Sequence, residues 1–159
     1  MKISIIGSGY VGLVSGAGFA EAGHNVLCMD IDEERIASLR KGRSPIYEPG
    51  LDDMLADNIE REHLAFTTSL KAAVDHADAL LIDVGTPPSE DGSADLGHVL
   101  NVASGIGECL AKHLLVIVKS TVPVGTCARV REAIQEQLDI RGEKTDFSVA
   151  SNPELLAEG

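Results

Sequence analysis

The chain has 159 residues, 44% of them hydrophobic, which suffices to bury one core and falls within the range of one domain. Thirteen basic against 25 acidic residues leave a net charge of -12, which argues against phosphate-backbone binding and so against a nucleic-acid partner. Cys28, Cys109 and Cys127 are odd in number and far apart, the histidines are scattered, and no apolar run approaches the roughly 18 residues of a membrane span. A disulfide framework, a metal site and a membrane partner are therefore not expected, and the chain reads as cytoplasmic.

The first strand is predicted at "KISII", residues 2–6, followed by a helix near 10–22. A second strand, "NVLCMD", leads to a helix near 32–41 with Asp32 as its N-cap, and another helix follows near 50–58. The strand "HLAFT" precedes a helix near 68–76, and the strand "ADALLIDV" precedes one near 96–112. The strand "LLVIVKS" then leads into a helix near 125–138, and "DFSVAS" closes the series. Strands alternating with helices imply parallel βαβ units, so the fold class is α/β: a Rossmann-like, doubly wound parallel sheet of about six strands in a single domain. The runs "LLIDV" and "LLVIV" are nearly continuous in polarity, as for strands covered on both faces. Two loops, "GRSPIYEPG" at 42–50 and "GTPPSEDGSAD" at 85–95, are rich in prolines and glycines that serve either turn chemistry or a site.

Six glycines crowd the segment "ISIIGSGYVGLVSGAGFAEAGH". Gly7, Gly9 and Gly12 form GxGxxG between a strand and a helix, the context of a dinucleotide-binding turn. There the first glycine permits the tight turn, the second lets backbone approach a pyrophosphate, and the third lets helix pack on strand. The helix start offers free N–H groups and a partial positive charge to phosphates. Gly16 and Gly18 are expected to extend the close packing, and Gly23 to end the helix. Asp30 ends the second strand 23 residues after Gly7, where a carboxylate accepts hydrogen bonds from the adenosine ribose. That charge disfavours a 2′-phosphate, so NAD is expected over NADP, although Arg35 is placed where it could serve a phosphate.

The motifs "GSGYVGLVSG", "GRSPIYEPGL", "VGTPPSEDGSADL", "VKSTVPVGT" and "SNPELLAEG" span the chain, and with them it resembles the UDP-glucose/GDP-mannose dehydrogenase family, in particular its UDP-glucose 6-dehydrogenases. The resemblance implies oxidation of a nucleotide-linked hexose at C6, twice, with two NAD⁺, through a cysteine-bound thiohemiacetal and a thioester. It implies that Gly7, Gly9, Tyr10, Val11 and Gly12 hold the pyrophosphate, that Asp30 and Arg35 serve the adenosine side, and that Val84, Gly85, Thr86, Ser120 and Thr121 line the cofactor's path. Thr121 is implied to position water and polar groups at the reacting carbon, and Glu154 to act in hydrolysis as a base or water-orienting group. Leu155 and Leu156 are implied to lie near the sugar, and Glu158 near the nicotinamide ribose.

Two residues depart from the family pattern. Leu155 stands where phenylalanine is usual, and Asp83 replaces a small or apolar residue at a strand position, where burial would raise its pKa unless it is paired. The family's nucleophile segment, of "GGSCFPKD" type, is missing, as are the lysine and asparagine that assist it. The chain is therefore expected to be the NAD-binding domain, 1–159, without the central helix and the nucleotide-sugar domain, and inactive alone. The segment "TCARV" around Cys127 does not resemble the nucleophile's, so Cys127 reads as a packed residue beside a helix start. The resemblance also implies a UDP-sugar substrate and a homo-oligomeric intact enzyme assembled through other segments. The alternatives are a dehydrogenase of GDP-mannose or of a UDP-N-acetylhexosamine, and a non-catalytic NAD-sensing module, which would have no use for Glu154.

Overall fold

The computed structural model describes residues 1–88 and 94–154. Six strands, β1 (Lys2–Ile6), β2 (Asn25–Met29), β3 (Leu64–Thr67), β4 (Ala79–Ile82), β5 (Leu114–Val118) and β6 (Phe147–Ser151), form one sheet in the order β3-β2-β1-β4-β5-β6. Every neighbouring pair is parallel. Six helices connect them: α1 (Tyr10–Glu21), α2 (Glu33–Leu39), α3 (Leu51–Glu60), α4 (Leu70–His76), α5 (Gly97–Cys109) and α6 (Thr126–Arg141). The chain runs outward from β1 to β3, returns through α4 to the other side of β1, and runs outward again to β6. The order therefore reverses between β1 and β4, where open α/β sheets leave a crevice at their carboxyl ends.

Two cores flank the sheet. On one face α1, α2 and α3 bury Leu13, Ala17, Ile36, Leu39 and Leu55 against Ile5, Val26 and Leu81. On the other, α4, α5 and α6 bury Val74, Val99, Ile106, Ile134 and Leu138 against Leu80, Ile82, Val116 and Val118. β4 is buried at every position, as its unbroken apolar run predicts. β5 departs from that expectation: Leu114, Val116 and Val118 are buried, but Leu115 and Ile117 are only partly so. The run "LLVIV" is covered completely on one face because α1 to α3 lie over the opposite half of the sheet.

Local chemistry explains the element ends. Asp32 caps α2 by accepting from the Arg35 N–H at 2.9 Å, and Ser69 caps α4 by accepting from the Ala72 N–H at 3.2 Å. Gly23, at φ +87, follows α1 in the left-handed conformation expected of a helix stop. α5 ends sooner than predicted because Leu110 turns extended and buries its side chain. α6 runs longer, to Arg141, whose Nη1 donates to the carbonyls of Gly107 at 2.7 Å and Leu110 at 3.0 Å and so caps the neighbouring helix end. Among the described residues no helix is long and apolar enough to cross a membrane.

Candidate functional site

The turn between β1 and α1 uses its three glycines differently. A Cβ on Gly7, at φ +106, would lie 2.1 Å from the Asp83 carbonyl oxygen, and one on Gly12 would lie 2.1 Å from the Gly7 oxygen. Both glycines are required by the fold itself, because the end of β4 crosses directly beside the turn. Gly9 is different, since a Cβ there would meet nothing within 4 Å. Gly9 is also the N-cap of α1, no side chain among the described residues caps that helix, and its first turn carries no acid. A helix start of this kind presents N–H groups and a positive dipole end to an anion. Further along α1, Gly16 fits closely, with its would-be Cβ 2.6 Å from Cys28 Sγ. Gly18 has nothing within 4 Å, so the expected role in close packing belongs to Gly16 alone.

Asp30 follows β2 and is 9% exposed. Its Oδ2 accepts from the Ser8 N–H at 2.8 Å and from Arg35 Nη1 at 3.0 Å, and its Oδ1 accepts from the Asp32 N–H at 3.1 Å. A carboxylate has about four acceptor positions, so one is spare, and the exchange of the partly exposed Arg35 would release another. The Ser8 hydroxyl beside it is buried and has no partner among the described residues. Tyr10 turns away from this corner: its hydroxyl donates to Glu48 Oε2 at 2.7 Å, tying the loop "GRSPIYEPG" to the start of α1. That bond and the Glu48 charge hold the Tyr10 phenol above its ordinary value of 10.0.

The ends of β4, β5 and β6 form the other side. Asp83 lies just past β4 rather than within a strand, and its N–H donates to the Ile6 oxygen at 2.8 Å. Its Oδ2 lies 2.9 Å from where a Gly12 Cβ would stand. Burial pushes the Asp83 carboxyl above its ordinary 3.8, Lys119 acts against that shift, and Glu154 adds to it. Ser120 is buried and donates its hydroxyl to the Val84 oxygen at 2.7 Å, and the Thr86 hydroxyl donates to the Thr121 oxygen at 3.1 Å. These bonds lock the β4 and β5 loops together. Glu154 Oε2 accepts from Lys119 Nζ at 2.7 Å. Leu155, Leu156 and Glu158 lie outside the described residues.

A cleft of about 610 Å³ opens at the reversal point and brings together Gly7, Gly9, Asp30, Arg35, Val84 and Gly85. Tyr10, Val11, Gly12, Thr86, Ser120, Thr121 and Glu154 are not among its lining residues. Sequence reasoning missed its far wall, formed by His98, Asn101 and Val102 of α5. Their spacing places them on one helical face, but only the tertiary arrangement turns that face toward the glycine turn. The cysteines stand apart from this cleft. Cys28 is buried and its thiol is pushed up to about 12 by burial, Cys109 donates to the Gly105 oxygen at 2.9 Å, and Cys127 packs against the core at the start of α6. A cleft of dinucleotide size, an open Gly9, an uncapped helix start and a carboxylate at the end of β2 together fit an NAD molecule.

Comparison with known proteins agrees. Residues 1–159 match the UDP-glucose/GDP-mannose dehydrogenase family, NAD binding domain. The chain is 51% identical over 159 residues to the UDP-glucose 6-dehydrogenase of Pseudomonas aeruginosa and 48% identical over 158 residues to the UDP-glucose 6-dehydrogenase TuaD of Bacillus subtilis. It aligns with 100% and 99% of its own length but only 35% and 34% of theirs, so it spans about a third of these relatives. Among solved structures, a UDP-glucose dehydrogenase from Pyrobaculum islandicum matches with a TM-score of 0.91 at 44% identity, covering 100% of this chain and 37% of that one. A GDP-mannose dehydrogenase from Pseudomonas aeruginosa matches with a TM-score of 0.90 at 39% identity, covering 99% and 37%. The chain belongs to the UDP-glucose/GDP-mannose dehydrogenase family and is its NAD-binding domain.

Proposed function

We propose that this domain serves a UDP-glucose 6-dehydrogenase, which oxidises the sugar's C6 alcohol to the acid with two NAD⁺ through a cysteine thioester. The observation that carries this reading is the 51% identity, over the whole chain, to a UDP-glucose 6-dehydrogenase. The GDP-mannose dehydrogenase and the UDP-D-ManNAc dehydrogenase of Pyrococcus horikoshii stand lower, at 39% and 31%, although their folds match as well. Bound NAD⁺ supplies the hydride acceptor.

In this reading the N–H groups from Gly9 to Gly12 hold the pyrophosphate, and Asp30 holds the adenosine ribose with Arg35 beside it. Val84, Gly85 and Thr86 wall the path toward the reacting carbon, with Ser120 fixing that wall through Val84 and Thr121 facing the sugar. Glu158 serves the nicotinamide ribose, while Leu155 and Leu156 lie against the hexose. The thiol comes from polypeptide beyond this chain. In the hydrolytic step water forms the new C–O bond at the thioester carbon while Glu154 takes its proton. The C–S bond then breaks and the sulfur leaves as thiolate. Glu154 is suited to this because a base must be a proton acceptor within hydrogen-bond reach of the water.

Two experiments test the reading. The full-length enzyme is offered UDP-glucose, GDP-mannose and the UDP-N-acetylhexosamines in parallel, and UDP-glucose is expected to give the highest kcat/KM with two NADH per sugar. A preference for another sugar would overturn the substrate assignment. The 159-residue chain is expected to bind NAD⁺ but to produce no NADH from UDP-glucose, since in this reading the thiol and the nucleotide-sugar domain that complete the site lie outside it. Turnover abolished by Cys127→Ser would show that Cys127 is the nucleophile.

A further inference from the structure

Three charged side chains converge at the ends of β4, β5 and β6. Lys119 is the first residue past β5, and its side chain is only 12% exposed. Its ammonium lies 2.7 Å from Glu154 Oε2, and the Glu154 N–H donates to the Lys119 oxygen at 3.3 Å. Side chain and main chain thus hold the same pair together. The pairing of Ile82 with Val118 places the next residues, Asp83 and Lys119, side by side on one face of the sheet. That face is the α1 face, because Asp83 Oδ2 lies against Gly12.

A lysine buried to this degree gives up both hydration and the rotamer freedom of a long side chain. An exposed ion pair would contribute little in return. This pair is set beside the cofactor cleft, where Asp83 is among the lining residues, and that place suggests a use beyond bracing the end of β6. We propose that Lys119 is a positioning residue for Glu154, keeping its carboxylate ionised and aimed for the hydrolytic step, and that Asp83 limits this hold by competing for the same ammonium. The proposal rests on the reading of Glu154 given above.

An ammonium at hydrogen-bond distance favours the ionised form of a carboxylate. A general base must be ionised to accept a proton, yet it weakens as a base when ionisation is made too easy. A second carboxylate beside the ammonium opposes that over-stabilisation, and Asp83 stands in that place. The loss of water around Asp83, opposed by Lys119 and reinforced by Glu154, agrees with three groups sharing one field. Among the charged groups near Glu154 are Lys119, just past β5, and Asp83, just past β4. The titratable group at the start of α1 is Tyr10, which is turned to Glu48.

The test uses the full-length enzyme in single turnover with UDP-glucose and NAD⁺, following the acyl-enzyme by quenching and mass spectrometry across pH. Lys119→Met is expected to slow hydrolysis about 10²-fold, the effect of misplacing a reacting group by an ångström, and to slow the first hydride transfer far less. The acid limb of the hydrolysis profile should move to higher pH, and Lys119→Arg should restore both rate and limb. Asp83→Asn should move the limb the other way. Glu154→Gln, run in parallel, should trap the acyl-enzyme, and if it does not, the reading of Glu154 itself fails. If Glu154→Gln traps the intermediate while Lys119→Met leaves the limb in place, or slows both half-reactions equally, the present inference alone is overturned. Should Lys119→Met fail to fold, an unmoved limb in Asp83→Asn has the same force.

Discussion

The two halves of the sheet build their share of the cleft from different materials. Around β1, α1 and β2 the cleft is lined by the glycine turn with its open Gly9, and by the Asp30 carboxylate that three donors, Arg35 among them, already hold. At the ends of β4, β5 and β6 it is walled by side chains, among them Asp83, whose charge meets those of Lys119 and Glu154 beside the cleft only because three separate strand ends come together. The first half is rigid by construction, since Gly7 and Gly12 leave no room for a Cβ. The second half is tunable, because its members act on one another through charge, which a substitution redistributes. A backbone-built site suits a cofactor whose pyrophosphate never changes, and a site of charged side chains suits chemistry that must move protons.

The sharpest way to break this comparison is at Gly7. Gly7→Ala combines a left-handed backbone with a Cβ 2.1 Å from the Asp83 oxygen, and should lower the stability of the domain by about 3–5 kcal/mol in chemical denaturation. A loss under about 1 kcal/mol would mean that β4 yields readily and that the turn is not rigid. Asp30→Ala comes next. It removes the acceptor of the buried Ser8 N–H, and should cost about 1–3 kcal/mol of stability in addition to weakening NAD⁺ by about 1.5–3 kcal/mol in calorimetry. An effect on binding without one on stability would separate the carboxylate from the turn whose Ser8 N–H it accepts. Gly9→Ala should cost stability less than about 1 kcal/mol, because its Cβ meets nothing, while weakening NAD⁺ about tenfold by keeping the backbone from the pyrophosphate. Equal losses at Gly9 and Gly7 would erase the distinction between a glycine the fold needs and one the ligand needs.

The same contrast explains what the sequence revealed. Strand and helix order could be read because apolar runs and caps such as Asp32 act locally, and the glycine turn because its three positions have fixed offsets within one βα unit. The far wall of the cleft could not be read, since His98, Asn101 and Val102 carry no signal until α5 is folded back over the turn. Lys119 lies within "VKSTVPVGT" but carries no signal of its own there, because its partner is 35 residues away, past the end of another strand. Asp83 stands out in the sequence only as a departure from the family pattern, and its meaning depends on the neighbours that the fold gives it. The partial cover of β5 was hidden for a similar reason: a run of apolar residues records the strand's own character, while the extent of the neighbouring helices decides its burial.

The smallest expected effect is also the one that tests the tunable half most directly. The Asp83 carboxyl is held above 3.8, chiefly by burial, so protonation stabilises the fold relative to the unfolded chain. That contribution is complete below 3.8, is lost as pH rises through the folded-state value, and leaves a standing penalty once the carboxylate is ionised. Asp83→Asn removes the charge while keeping the shape, and Lys119 retains Glu154 as its partner. The variant should therefore be more stable than the wild type near neutral pH, with the difference vanishing as the pH falls below 3.8, in denaturation curves recorded across that range. The opposite sign at neutral pH would mean that attraction to Lys119 outweighs the lost hydration. Asp83 would then belong to a structural ion pair, and the contrast between a rigid half and a tunable half would fail at the residue where it is most exposed to test.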